Sequence, residues 1–143
     1  MPAHSSFDYA IVRVVPRVER GEFINVGVIL YCLTSRFLSA KVELDERRLV
    51  ALAPEMDVEL VRGNLEAIPR ICAGGRGSGP IGQLPQKERW HWLVAPRSTI
   101  LQTSPVHSGL CEDPAKALEH LMDRMVRLPP SSPFPLSGKT RGP

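Results

Sequence analysis

"DYAIVRVVPRVERGEFINVGVILYC", residues 8–32, decides the fold. Residues 8–16 are rich in β-branched side chains and end at a proline, the pattern of a strand. Period two puts Ala10, Val12 and Val14 on one face and Tyr9, Ile11, Arg13 and Val15 on the other. "RVERGE" (17–22) is a turn with Gly21 as its pivot. Residues 23–32 form a second strand, in which Ile24, Val26, Val28, Leu30 and Cys32 share one wholly apolar face. Phe23, Asn25, Gly27, Ile29 and Tyr31 make the other. The link between the two runs is short, so the strands are expected to pair as an antiparallel hairpin.

Working outward, "FLSAKVEL" (37–44) reads as a third strand, and "RRLVAL" (47–52) is ambiguous. "PEMDVELVRGNLEAI" (54–68) has helical spacing, with Val58, Val61, Leu65 and Ile68 in one stripe. Pro54 suits a first helical position, and Pro69 is expected to end the helix. A flexible Gly-rich loop is expected over 73–88. "RWHWLVAP" (89–96) alternates Trp90, Trp92 and Val94 against His91, Leu93 and Ala95, and reads as a strand. "STILQT" (98–103) is a further short strand and 104–112 is irregular. "DPAKALEHLMDRMVRL" (113–128) is the clearest helix, with Asp113 as cap and Leu118, Leu121, Met122, Met125 and Val126 as its buried stripe. The composition of 129–143, rich in Pro and Ser, is that of a disordered tail. The expectation is one α+β domain over 7–128, a mostly antiparallel sheet with two helices packed on it.

The 143 residues suit a single domain, and 43% apolar side chains suffice for a core. A net charge of +3 is too small to support nucleic-acid binding. Three cysteines without a C-x-x-C pair argue against a disulfide framework or a structural zinc site. The first ten residues lack a basic region followed by an apolar one, and no apolar run approaches a membrane span. These features lead to the expectation of a cytoplasmic protein without a membrane segment.

Few motifs carry chemistry. "GGRGSG" (74–79) fails the phosphate-loop pattern, because no Lys-Ser/Thr follows and the run leaves a helix rather than a strand. His107 and Cys111 are two ligand types at a usable spacing, too few for a metal site. Ser104, Ser108, His107 and Asp113 include triad residue types but no nucleophile elbow. No metal or cofactor is expected. Arg13, between apolar neighbours, needs a carboxylate or an anion. Its first reading is a salt bridge to Glu22 or Glu19 that pins the hairpin; its second is a positive floor under a ligand. Asn25 and Gly27 suit either packing or binding. "APRSTI" (95–100) sets the planar fork of Arg97 beside the hydroxyls of Ser98 and Thr99, a group able to hold an anion or a partner's acidic side chain. The following "SPVHSGL" would fold His107 toward it. The run is therefore either a polar binding edge or an internally satisfied loop.

Two blocks, "YAIVRVVPRVERGEFINVGVILYC" (9–32) and "WHWLVAPRSTILQTSPVHSGLCEDP" (90–114), together resemble the bacterial family named domain of unknown function 3037. The resemblance extends over about residues 7–128. It implies characteristic polar positions at Arg13, Arg20, Glu22, Asn25, Arg97, Ser98, His107 and Gly109. Similar proteins are often encoded beside HipA-like kinases, which implies a partner or accessory role. The leading expectation is an accessory or binding module acting with a protein partner, with a HipA-like kinase as the candidate. The alternative is an enzyme or sensor acting on a phosphorylated ligand, nucleotide or nucleic acid, with Arg97, Arg20 and His107 contacting the anion. Convergence of Arg13, Arg20, Asn25, Arg97 and His107 in one pocket would favour a ligand, and dispersal with internal pairing a scaffold.

Overall fold

A computed structural model describes residues 4–129; the tail residues 130–143 lie outside them. Strands β1 (Ser5–Val14), β2 (Ile24–Cys32) and β3 (Phe37–Val42) form an antiparallel meander. The outer side of β1 is shared by two short strands, β4 (Leu101–Thr103) and β5 (His107–Cys111), both antiparallel to it. The expected hairpin is present: Asp8 lies opposite Tyr31 and Val14 opposite Ile24. Gly21, in the left-handed region at φ 70°, closes a single 3-10 turn within the connection.

The hairpin's register shifts once. Val12 lies opposite Gly27, but Arg13 lies opposite Asn25, so β2 carries one extra residue at Val26. A bulge of this kind reverses the side-chain phase beyond it. Ile24, Val26, Ile29 and Tyr31 consequently join Ala10, Val12 and Val14 in one core layer. Val28, Leu30 and Cys32 join Phe7 on the opposite face. The single apolar face expected for 24–32 is thus divided between two cores. Gly27 permits a close approach of β3 to β2, since a Cβ there would sit 2.6 Å from the Lys41 carbonyl oxygen.

Helices cover both faces. On the first lie α1 (Glu46–Leu52), α2 (Val58–Ala73) and α4 (Gln86–Leu93), contributing Leu49, Val61, Leu65, Trp90 and Leu93. On the second lies α5 (Pro114–Met125), contributing Leu118, Leu121 and Met122. Asp45, Asp57 and Asp113 cap α1, α2 and α5 by accepting from backbone N–H groups of the first turn. Because Asp57 is the cap, α2 begins four residues after Pro54, and it runs through Pro69 to Ala73. Its last turn is held by Arg89, which donates to the Ile71 and Cys72 carbonyls at 3.0 and 2.5 Å. Those bonds and the burial of Cys72 offset the ladder bond that a proline lacks.

Residues 73–88 contain a short helix, α3 (Gly79–Gly82), and a loop drawn against Arg89. At Gly74, φ 70°, a Cβ would lie 2.8 Å from the Arg89 guanidinium. The strand expected over 89–96 is instead α4 and its exit. Trp90 and Leu93, three apart, are both buried, whereas Trp92 is exposed. That is the helical period, and Trp90 fixes it by stacking on Tyr31 at 5.7 Å between ring centres. The irregular stretch expected over 104–112 includes β5, which pairs with Ser5–Tyr9, an N-terminal extension of β1 beyond the expected start at residue 8.

Candidate functional site

The polar run after α4 is consumed largely by the fold. Arg97 turns back on the helix it follows: its Nη1 and Nη2 donate to the Leu93 and Trp92 carbonyls at 3.1 and 2.6 Å. It thereby caps the C-terminus of α4, where carbonyls lack partners and the dipole favours a cation. Its guanidinium lies 4.3 Å from the centre of the Trp92 ring. Thr99 donates to the Leu101 carbonyl at 2.8 Å. Ser104, almost fully buried, replaces a backbone acceptor in the sheet: the Ile11 N–H donates to its Oγ at 2.9 Å, and the hydroxyl donates to the Pro105 carbonyl. Ser104 thus carries the ladder across the break between β4 and β5. Ser108 donates to Asp8 at 2.7 Å, and His107 lies against Tyr9 at 5.4 Å. Ser98 is exposed.

Arg13 does not make the expected salt bridge. Glu22 is engaged by Arg20 instead, through Nε and Nη2 at 2.8 and 3.2 Å, an exposed fork that raises the arginine pKa and lowers that of the carboxyl. The hairpin explains this: Glu22 stands at the turn with Arg20, while Arg13 projects from the strand. Arg13 stacks on Phe23 at 4.1 Å. Its Nε and the Oδ1 of Asn25, directly across the strand pair, are both buried without a hydrogen-bond partner among the described residues. The Asn25 amide donates to the Met125 carbonyl at 3.0 Å, tying β2 to the end of α5.

The candidate residues therefore do not meet in one pocket. Arg13 and Asn25 adjoin on the α5 face of the sheet. Arg20 and Glu22 pair in the turn. His107 is opposite Tyr9, four positions along β1 from Arg13, and Gly109 lies under the Phe7 ring. Arg97 is on the other face, beside Val12.

Arg97 does border a cleft of about 550 Å³ between α2 and residues 92–103. One wall is Ala67, Ile68 and Ile71 of α2; the other includes Trp92, Ile100 and Leu101; Val12 lies at the base. None of the α2 residues was singled out from sequence, although Ile68 belongs to the apolar stripe that defined the helix. No carboxylate among the described residues pairs with Arg97, and burial lowers its pKa from the ordinary value. Among the described residues no group of three or more His, Cys, Asp or Glu side chains is placed to hold a metal. None of their helices is long and apolar enough to cross a membrane.

A second unforeseen feature is the clamp at Arg127. It pairs with Glu43 of the β3–α1 connection at 2.5 Å, with Asp123 at 2.8 Å and with Glu119, which also receives Lys41 at 2.5 Å. These bonds fix the end of α5 to the edge of the sheet. They raise the Arg127 pKa and hold the Glu119 carboxyl below its usual range.

Fold and cleft define a single-domain α+β protein with an antiparallel sheet, helices on both faces and a mainly apolar cleft bordered by one arginine. The chain belongs to the family described as "Protein of unknown function (DUF3037)", whose model matches residues 9–126. No curated protein matches the chain, and no solved structure does.

Proposed function

We propose that this chain is a cytoplasmic accessory module that binds a protein partner through the cleft between α2 and residues 92–103. One observation carries the reading. The cleft has the size of a recognition site and apolar walls, and at its border stands a half-buried guanidinium with no carboxylate partner among the described residues. A partly buried guanidinium held only by neutral carbonyls favours a ligand that brings a counter-charge. The two carbonyls leave other N–H groups of the fork unengaged. The resemblance of the chain makes a HipA-like kinase the candidate partner.

The alternative, an enzyme or sensor acting on a phosphorylated ligand, nucleotide or nucleic acid, has less support. Arg20 is committed to Glu22, and His107 lies against Tyr9 in the β1–β5 pair. Biolayer interferometry between the immobilised chain and a purified HipA-like kinase from the same organism tests the proposal. Saturable binding that weakens about tenfold or more in Arg97→Gln is expected, the scale of one lost charge-assisted contact. No binding, or undiminished binding by a folded Arg97→Gln protein, overturns it.

A further inference from the structure

We propose that the cleft accepts the partner as an extended peptide added as a strand along β4, with an apolar side chain against Ala67, Ile68 and Ile71 and a carboxylate on Arg97. This rests on the reading of the chain as a partner-binding module and specifies the form and chemistry of the docking segment.

The backbone of β4 carries the argument. It is an edge strand in the order β3-β2-β1-β4, and among the described residues nothing pairs with its outer side. The Val15 N–H donates to the Ile100 carbonyl at 2.6 Å, and the Ser104 N–H donates to the Ile11 carbonyl at 2.8 Å. Antiparallel ladders alternate, so Ile100, Gln102 and Ser104 direct their peptide groups toward β1. Leu101 and Thr103 direct theirs outward. The Thr99 hydroxyl already reaches the Leu101 carbonyl, a local substitute for an adjoining strand. Thr103 has no such substitute among the hydrogen bonds of the described residues.

The cleft follows this edge. It is lined by every residue from Thr99 to Thr103, although consecutive strand residues point to opposite faces, so it runs along the strand and not only over one surface of the sheet. Its opposite wall is a helix. A groove between a helix and an open strand edge suits strand addition, in which backbone bonds supply affinity and pockets read alternate side chains. A docked helix would satisfy its own backbone and leave Leu101 and Thr103 unmatched. Charge then selects among extended segments: Arg97, without an acidic partner among the described residues, favours Asp, Glu or a chain-terminal carboxylate and disfavours Lys or Arg.

The test uses the whole chain, immobilised, and a displayed library of random octapeptides. The expected selection is an extended consensus of alternating apolar residues with one acidic position. In fluorescence polarisation with the synthetic consensus peptide, N-methylation at every second residue is expected to weaken binding about tenfold or more, while N-methylation at the intervening residues is tolerated. Replacing the peptide's acid by its amide should weaken binding to the wild-type chain but not to Arg97→Gln. The proposal is overturned by a library that yields no binder, by a consensus bound as a helix, by indifference to N-methylation, or by self-association of the chain that excludes the peptide. A kinase that binds undisturbed by saturating peptide sinks strand docking and leaves the partner-binding reading intact. A peptide that binds as described to a chain the kinase ignores supports the docking mode and removes the kinase.

Discussion

Ser104→Ala isolates the claim that the polar run completes the fold. Ser104 is 3% exposed, and its Oγ is the acceptor for the buried Ile11 N–H at 2.9 Å. Alanine removes that acceptor and leaves the donor in a position that water does not reach. Leaving a buried donor unsatisfied costs about 1–3 kcal/mol. The other half of the interaction matters less, because Pro105 is exposed and water can take the place of the hydroxyl at its carbonyl. For a domain of this size each kcal/mol moves Tm by about 3–5 °C, so the expected fall is roughly 3–15 °C. Circular dichroism melts measure it, and urea titration should show a lower midpoint with an unchanged slope, the mark of lost stability without a change in the surface exposed on unfolding. Ser98→Ala, at an exposed position, serves as the control and should leave Tm unchanged. A Ser104→Ala protein that melts within 1 °C of wild type, on the order of 0.3 kcal/mol, would refute the reasoning: the Ile11 donor would then have another acceptor and β4–β5 would not depend on this hydroxyl.

Other consequences test separate parts of the structure. Gly27→Ala places a methyl 2.6 Å from the Lys41 carbonyl and 2.8 Å from the Val42 side chain, forcing β2 and β3 apart; a loss of roughly 1–3 kcal/mol is expected in urea unfolding, and a neutral result would contradict the close approach of β3 at Gly27. Glu119 is held below the ordinary carboxylate value by Lys41 and then Arg127, so its contribution to stability is present above that ordinary value and is lost as pH falls through the lower folded value. Arg127→Leu should therefore flatten the decline of Tm between pH 5 and pH 2, on the order of the usual carboxylate range, and an unchanged profile would remove the clamp from the account. Burial pushes the Cys72 thiol up to about 12, so native protein at about pH 8 should leave Cys72 unmodified by iodoacetamide, while urea-unfolded protein is labelled there; rapid native labelling, read by mass spectrometry, would argue against its burial.

What was legible in the sequence, and what was not, has a physical pattern. The hairpin and α5 are legible because each is a long run with a single period and clear punctuation: β-branched alternation broken by Gly21, and an apolar stripe opened by Asp113 and Pro114. The division of β2 between two cores is not, because a bulge is set by how two strands meet and every residue from Val26 to Cys32 except Gly27 is apolar on either phase. In 89–96, Trp90, Trp92 and Val94 satisfy period two while Trp90 and Leu93 satisfy the helical period; tertiary stacking on Tyr31 selects the helix. That misreading concealed the structural part played by Arg97, whose carbonyl partners exist only once α4 has formed. The cleft was hidden for a related reason. Its walls come from α2 and from residues after α4, and no local pattern records that they face one another. Arg13 was correctly marked as an arginine needing explanation, but its environment is an aromatic ring and an asparagine, not the nearby Glu22.

The proposed partner site is the cleft between α2 and residues 92–103. Ala67→Phe tests it most directly, because it fills the cleft from the α2 wall at a residue that belongs to neither core cluster. The measurement is the affinity of the HipA-like kinase for wild-type and Ala67→Phe chains by isothermal titration calorimetry, with Tm recorded for both. An unchanged Tm and an affinity lower by about tenfold or more, equivalent to about 1.4 kcal/mol, is the expected result. Equal affinities for two equally folded proteins would contradict it and place any partner surface elsewhere on the domain.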